Sequence, residues 1–241
     1  MNDLPQPPAD GDVLLGMLGS FRLRIDGEPT VLPMNAQRLV CFLALHDGAL
    51  LRQHVAGSLW GDTNDQHASG SLRSALWRLG HPTRPLVEVD DVHLRLAPSV
   101  AVDLYSSEEL AHRLLDESHQ PSDTDLDEAL LARELLPDWT EDWVLLRREN
   151  HNQLRLRALE ALCRKLTDMG RFGQAVQAGM LAVSGEPLRE SAQRALISAH
   201  IAEGNVDAAT TQYDTFCELL HDKLDLEPSE EMKILVKGLH R

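Results

Sequence analysis

The sequence is poor in cysteine, in aromatic residues and in long apolar runs. Its three cysteines, Cys41, Cys163 and Cys217, lie far apart and form neither a CxxC pair nor an even disulfide framework. This pattern predicts reduced, buried thiols and a cytoplasmic protein. The chain opens without a basic segment followed by an apolar run, and it contains no stretch of about 18 apolar residues, so neither secretion nor a membrane span is expected.

Patterns that predict catalysis are also missing. The eleven histidines form no HExxH motif, and the chain lacks a glycine-rich phosphate loop and a nucleophile elbow. Three carboxylates lie in the segment 137–143, PDWTEDW, where they suggest a metal site. Because no further ligand spacing supports a metal, a capped loop anchored by Trp139 and Trp143 is the better interpretation. We therefore expect no enzyme activity, no cofactor and no metal.

Positive charge is scarce, since the formal net charge is −15. Residues 1–102 carry 8 arginines and 11 acidic residues, whereas residues 103–241 carry 15 basic and 27 acidic residues. A balance this acidic disfavours broad adhesion to nucleic acid or membranes and confines any DNA contact to a local patch.

One such patch is present. Between Gln66 and Val87 there is no Asp or Glu, while the same window holds Arg73, Arg78 and Arg84 together with His67 and His81. At about 100° per residue, the helix predicted over 66–78 places its apolar residues on one side. The opposite side carries Gly70, Arg73, Ser74 and Trp77, flanked by Ser71 and Arg78. Such a donor-rich face suits contact with phosphates and base edges.

The surrounding elements follow from turn and capping signals. Residues 1–12 are expected to be a disordered tail. Residues 13–33 predict a small antiparallel sheet with a hairpin at Asp26-Gly27. Asn35 is expected to cap a helix that runs to about His46 and ends at Asp47-Gly48, and a second helix is expected over 52–59. Asp65 is then placed to cap the donor-rich helix.

Residues 86–96 predict two strands that turn at Asp90-Asp91, with Val92, Leu94 and Leu96 on one side and His93 and Arg95 on the other. Two helices joined by a short turn and followed by a hairpin predict a winged helix-turn-helix, whose second helix enters a DNA major groove. The predicted DNA-binding residues are Ser71, Arg73, Ser74, Trp77 and Arg78 on the helix and His93 and Arg95 on the hairpin. For Trp77, packing beneath a second domain is an equal alternative to stacking on a sugar or supporting an interface with RNA polymerase, and Arg38 is as readily structural as a phosphate contact.

The second half of the chain shows a helical repeat. Gly170 and Gly204 lie 34 residues apart, each between a helical run and an alanine-rich helix, as in tetratricopeptide (TPR) repeats. Further helices are expected over 104–115, 126–136 and 145–168, and the segment 225–229, DLEPS, is expected to break the chain and to cap a final helix. Stacked helix pairs of this kind bury a shared core and form an all-helical domain with a concave face for a partner.

Several strings in order resemble a known family. LLGMLGSFRLRIDGEPTVLP, SLRSALWRLG and LRLAPSVAVDL resemble the OmpR/PhoB-type DNA-binding domain of the actinobacterial SARP activators. ELLPDWTEDWVLLRRE, EPLRESAQRALISAHIAEGN and LDLEP resemble their bacterial transcriptional activator domain. Such sequences often continue the recognition helix with further arginines, whereas here Gly80-His81-Pro82 ends it.

The resemblance implies a mainly α protein with a winged helix-turn-helix over 13–98 and a TPR-like activator domain over 103–241. It implies an activator that binds direct repeats in double-stranded DNA as a possible dimer. It also implies recruitment of RNA polymerase through the sigma and alpha subunits, often at secondary-metabolite gene clusters, and hence a location at the nucleoid. The alternative is a TPR-like adaptor or ligand sensor whose winged helix no longer binds DNA.

Overall fold

The computed structural model describes residues 13–46, 48–80, 85–126 and 128–237, and the predicted tail at 1–12, the turn residue Asp47, and His81 and Arg84 lie outside these ranges. The described residues form two compact units. The first comprises residues 13–105 and 135–148, and the second comprises residues 106–134 and 149–237. The division therefore does not follow the simple order of the chain, and the predicted limits 13–98 and 103–241 stay a prediction.

The first unit contains two small sheets and three helices. Its elements are β1 (Val13–Gly16), β2 (Arg22–Ile25), β3 (Glu28–Pro29), α1 (Met34–Ala44), β4 (Leu50–Leu51), α2 (Arg52–Leu59), α3 (Asp65–Leu79), β5 (Val87–Val89), β6 (His93–Leu96) and β7 (Val100–Val102). This order confirms the predicted winged helix.

The N-terminal sheet has the strand order β3-β2-β1-β7. Strands β1 and β2 pair antiparallel, and β7 pairs parallel to β1. Asp26 and Gly27 both have positive φ, 51° and 83°, as the tight turns of two-residue hairpins require. The hairpin expected at Asp26-Gly27 is therefore confirmed, while the pairing with β7 had no local signal.

Helix α1 begins two residues earlier than predicted. Asn35 lies inside its first turn, and the residue at the cap position is Pro33, which makes no side-chain cap hydrogen bond. The prediction of an Asn35 cap was therefore wrong. The Pro33 carbonyl instead accepts from the amides of Ala36 and Gln37 at 2.9 and 3.0 Å, so backbone hydrogen bonds start this helix after a residue whose φ is fixed. Residues 39–44, which include Leu39, Val40 and Phe42, are all buried, so the second half of the helix is enclosed on every side.

A second sheet has the order β4-β6-β5 and contains the predicted hairpin. Leu50 pairs with Leu94, and the Arg52 amide donates to the Val92 carbonyl at 2.8 Å, which ties the start of α2 to the hairpin. Leu94 is fully buried. The prediction that Val92 lies on the same side of the hairpin as Leu94 was wrong, because Val92 belongs to the turn and is 54% exposed.

Residues 135–148 return to the first unit. Leu135 forms a bridge with Leu18, and the Leu136 amide donates to the Met17 carbonyl at 2.9 Å. The Arg148 guanidinium donates to the carbonyls of Leu135, Leu136 and Trp139, which closes this segment into a loop. The aromatic anchors predicted here are in place, since Trp139 is 9% exposed.

Helices make up the regular structure of the described part of the second unit. They are the end of α4 (Asp103–Leu115), a short 3₁₀ turn (Asp123–Leu126), α5 (Glu128–Ala132), most of α6 (Asp142–Asp168), α7 (Phe172–Gly185), α8 (Glu190–Glu203), α9 (Val206–Leu224) and α10 (Glu230–Val236). The helix expected over 126–136 is shorter than predicted, because Leu135 and Leu136 belong to the loop 135–148 of the first unit. None of the described helices is long and apolar enough to cross a membrane.

The predicted repeat is visible in these helices. Gly170 and Gly204, with φ of 72° and 85°, end α6 and α8 in the left-handed conformation that closes many helices. Small residues let the helices approach closely: a side chain at Gly179 would lie 3.1 Å from the Cys163 sulfur and 3.2 Å from the Leu196 Cα. The cap expected in the segment 225–229 is Ser229, whose side chain accepts from the Met232 amide at the start of α10.

A buried carboxylate organises the loop before α5. Asp125 is 2% exposed and accepts hydrogen bonds from the Ser122 amide at 2.9 Å, the Arg113 Nε at 3.3 Å and the His119 ring at 3.0 Å. Burial alone would raise the pKa of this carboxyl, but the hydrogen bonds, led by those from Ser122, hold the pKa well below its usual range. The ionised form is therefore part of the fold.

Candidate nucleic-acid interface

The helix-turn-helix is built from α2, the turn 60–64 and α3. The Trp60 amide donates to the Ala56 carbonyl and ends α2, and the Thr63 hydroxyl donates to the Trp60 carbonyl at 2.9 Å. Asn64 caps α3, because its side chain accepts from the His67 amide at 2.9 Å. The predicted cap Asp65 is instead the first residue of the helix, where its charge favours the helix dipole.

Helix α3 presents the two faces that its sequence predicts. Ala68, Leu72, Ala75 and Leu79 are buried in the first unit. Arg73, Ser74, Trp77 and Arg78 are exposed, and Ser71 is half-buried at their edge. Leu79 is the last helical residue, and the Gly80 amide donates to the carbonyls of Leu76 and Trp77.

The exposed face is basic. Within the described residues, Arg73 and Arg78 form no ion pair with a carboxylate. The Arg78 guanidinium lies 5.5 Å from the centre of the Trp77 ring, a cation–π distance, and Trp77 is 64% exposed. Trp77 and Arg78 thus form one amphipathic surface beside Arg73, with side chains able to donate to phosphates or base edges.

The hairpin differs from the helix because its basic residues are paired. Glu88 and Arg95 are opposite one another in the β5–β6 register, and the Arg95 Nε donates to Glu88 at 2.6 Å. Asp90 accepts from the amides of His93 and Val92, and these hydrogen bonds, with that of His93 first, lower the pKa of Asp90. The His93 ring lies 3.5 Å from the same carboxylate.

The structure brings Arg52 and Gln53 next to the predicted residues. Together with Asp65, Ser69 and Arg73 they line a shallow groove between α2 and α3. Sequence reasoning missed Arg52 because it starts a different helix, although an arginine at the first position of the helix before the turn was a usable signal. Arg38, by contrast, is a structural arginine here, since it pairs with Glu141 at 3.1 Å and donates to the Leu59 carbonyl.

No group of three or more His, Cys, Asp or Glu side chains in the described ranges is arranged to hold a metal ion. Cys41 and Cys163 are buried and unbridged, and Cys217 is half-buried, a little more exposed than predicted.

Comparison with known proteins decides the family. The model of the bacterial transcriptional activator domain matches residues 102–239, more than half of the chain. The chain belongs to the bacterial transcriptional activator domain family. This match supports the resemblance to the SARP-type activators that the sequence predicted.

A solved structure shares the fold of nearly the whole chain. It is that of Mycobacterium tuberculosis EmbR in complex with a low-affinity phosphopeptide, with a TM-score of 0.66 and 17% sequence identity. The alignment covers 95% of this chain and 65% of the EmbR chain, so this activator-domain protein spans about two thirds of EmbR's length. Among curated proteins, none has a sequence that matches this chain.

Proposed function

We propose that this regulator is a sequence-specific DNA-binding transcriptional activator, with residues 13–98 as its DNA-binding domain and residues 103–241 as its activator domain. The observation that carries the proposal is the exposed basic face of α3, formed by Arg73, Ser74, Trp77 and Arg78. In a chain of net charge −15, this is where a phosphate backbone meets least repulsion.

In this proposal α3 enters the major groove. Its 15 residues extend about 22 Å, enough to follow the groove across several base pairs. Arg73 lies midway along the outward face and reads a guanine through two hydrogen bonds. Ser71, Ser74 and Arg78 hold phosphates and Trp77 packs on a sugar, so these contacts fix orientation while Arg73 supplies sequence preference.

The hairpin has a smaller role. His93 and Arg95 would lie along the DNA backbone, but Arg95 must first leave Glu88, and the turn adds Asp90 and Asp91. We therefore expect its contribution to affinity to be lower than that of α3.

Activation follows from the acidic second half. Residues 103–241 carry 27 acidic and 15 basic residues, which favours contact with basic surfaces of RNA polymerase. The family resemblance points to the sigma and alpha subunits as these partners and to secondary-metabolite clusters as targets. A single winged helix reads few base pairs, so two copies on a direct repeat supply the specificity, and the protein works at the nucleoid.

The test is selection of bound sequences from a random DNA pool at moderate salt. Wild type is compared with Arg73→Ala and with Arg24→Ala, which removes one charge from β2 of the same unit. We expect wild type and Arg24→Ala to enrich the same repeated motif, and Arg73→Ala to enrich it more weakly and without preference at one base position. If wild type enriches nothing, the adaptor alternative replaces this proposal. The ion pair that occupies Arg95 on the hairpin and the end of α3 at Leu79 would then explain the missing DNA binding.

A further inference from the structure

The loop formed by residues 135–148, called here the returning segment, is packed on the helix-turn-helix unit by aromatic contacts. The Trp143 ring stands edge-on to Phe42 of α1 at 5.3 Å between ring centres, and Trp139 lies 6.1 Å from Trp143. Phe42 also faces His54 of α2 at 6.2 Å. One ring of α1 is therefore shared between the returning segment and the first helix of the helix-turn-helix.

An ion pair also joins α1 to the returning segment. Arg38 lies one helical turn before Phe42, on the same face of α1. Its Nε is 3.1 Å from the Glu141 carboxylate, and its Nη2 donates to the Leu59 carbonyl at 2.9 Å. The two side chains are only 23% and 24% exposed, so solvent screens this ion pair less than a surface pair.

Through Leu59, the Arg38 side chain contacts the end of α2. Leu59 is the last residue of α2, and its carbonyl is one of those that a helix end leaves without an intrahelical partner. The turn 60–64 and then α3 follow directly. Glu141 pairs with the Arg38 guanidinium, and the same guanidinium binds the last carbonyl of α2. Because the turn starts directly after this carbonyl, the ion pair fixes the position at which the turn begins.

We infer that Glu141 and Arg38 are positioning residues for operator recognition, through which the returning segment fixes the turn between α2 and α3. The inference rests on the proposed function and adds to it a part of the activator-domain sequence that the DNA-reading unit requires. A recognition helix must be held to within about 0.5 Å for its side chains to meet base edges, so a loosened turn costs specific binding first. Contact with phosphates, which tolerates small displacements, changes little.

The first test needs no DNA. Amide hydrogen exchange is measured on the full chain as wild type, Glu141→Gln and Glu28→Gln, the last an exposed carboxylate of β3 that serves as the matched control. We expect faster exchange in residues 60–68 of Glu141→Gln alone, with α7 and α8 unchanged in all three proteins. Equal exchange in residues 60–68 of wild type and Glu141→Gln would overturn the inference.

The second test compares the selected operator with random DNA over a range of salt concentrations. We expect Glu141→Gln and Arg38→Ala each to bind the operator about tenfold more weakly, with unchanged salt slopes and unchanged affinity for random DNA. Arg38→Lys should stay as weak as Arg38→Ala, because an ammonium group restores the charge but not the two-sided geometry.

The alternatives give different results. If Arg38 were a phosphate contact, Arg38→Ala would reduce the salt slope by about 0.9, Arg38→Lys would recover it, and Glu141→Gln would tighten binding to all DNA. That outcome overturns the inference. If the wild-type protein selects no operator, the proposed function itself is overturned. If the wild-type protein selects an operator but binds it no more tightly than Glu141→Gln and Arg38→Ala do, the inference alone is overturned.

Discussion

Releasing Arg95 from Glu88 tests whether the hairpin touches DNA. The pair is half exposed, with 52% of the Arg95 and 43% of the Glu88 side chain accessible, so Glu88→Gln should cost about 0–1 kcal/mol of the free energy of unfolding. The same substitution leaves the exposed Arg95 side chain on β6 with no carboxylate opposite it. If the hairpin lies along the backbone, Arg95 then meets a phosphate.

One additional phosphate contact has a calculable effect. It steepens the dependence of log affinity on log salt by about 0.9, so the ratio of variant to wild-type affinity should fall about 3.5-fold between 50 and 200 mM salt. Fluorescence anisotropy with labelled random DNA measures this ratio directly. Binding of the operator should tighten in the same proportion, because a backbone contact carries no sequence preference.

Two variants isolate the cause. Glu28→Gln removes the same charge from β3 and should leave the slope unchanged, and adding Arg95→Gln to Glu88→Gln should abolish the gain. Parallel salt slopes for wild type and Glu88→Gln would refute the reasoning, and they would place the hairpin away from the DNA.

Three further predictions concern the second unit. Asp125→Asn should lower the free energy of unfolding by about 3 kcal/mol at pH 7, and the deficit should shrink as the pH falls below about 4, because stability from a lowered carboxyl pKa is lost as the wild-type group protonates. Gly179→Ala should destabilise by about 1–2 kcal/mol, whereas Gly173→Ala in the same helix, where a Cβ meets no atom within 4 Å, should stabilise by up to about 1 kcal/mol. In the native protein Cys217 should react with a thiol reagent before Cys163, since burial raises the pKa of Cys163 to about 11.

Urea unfolding of the full chain at several pH values checks the first two predictions, and mass spectrometry of the alkylated protein checks the third. A pH-independent deficit for Asp125→Asn would contradict the assigned role of its charge. Equal effects of the two alanine variants would contradict the close approach at Gly179, and simultaneous alkylation of both thiols would contradict the burial of Cys163.

Local patterns predicted the faces of α3 correctly because amphipathic spacing in a 15-residue helix is a strong signal. They also located the hairpins, since Asp26-Gly27 and Asp90-Asp91 carry turn chemistry. The pairing of Glu88 with Arg95 was not predicted, because the observed register is centred between Asp91 and Val92, whereas a turn centred on Asp90-Asp91 would place Glu88 opposite His93.

Contacts between distant parts of the chain had no comparable signal. Nothing in the periodicity of residues 135–148 indicates that Leu135 pairs with Leu18 or that Glu141 reaches Arg38. The two tryptophans predicted an anchored loop but not the surface to which it is anchored. Likewise, Pro33 replaced Asn35 at the start of α1 because backbone geometry alone suffices there.

The most direct test of the central claim is titration of the selected operator with wild type and Arg73→Ala at several salt concentrations. If α3 reads the major groove through Arg73, the variant should lose about 1–3 kcal/mol of specific binding free energy, and discrimination should relax at one base position. A folded Arg73→Ala protein that binds the operator as tightly and as selectively as wild type would contradict the assignment of α3 as the recognition helix.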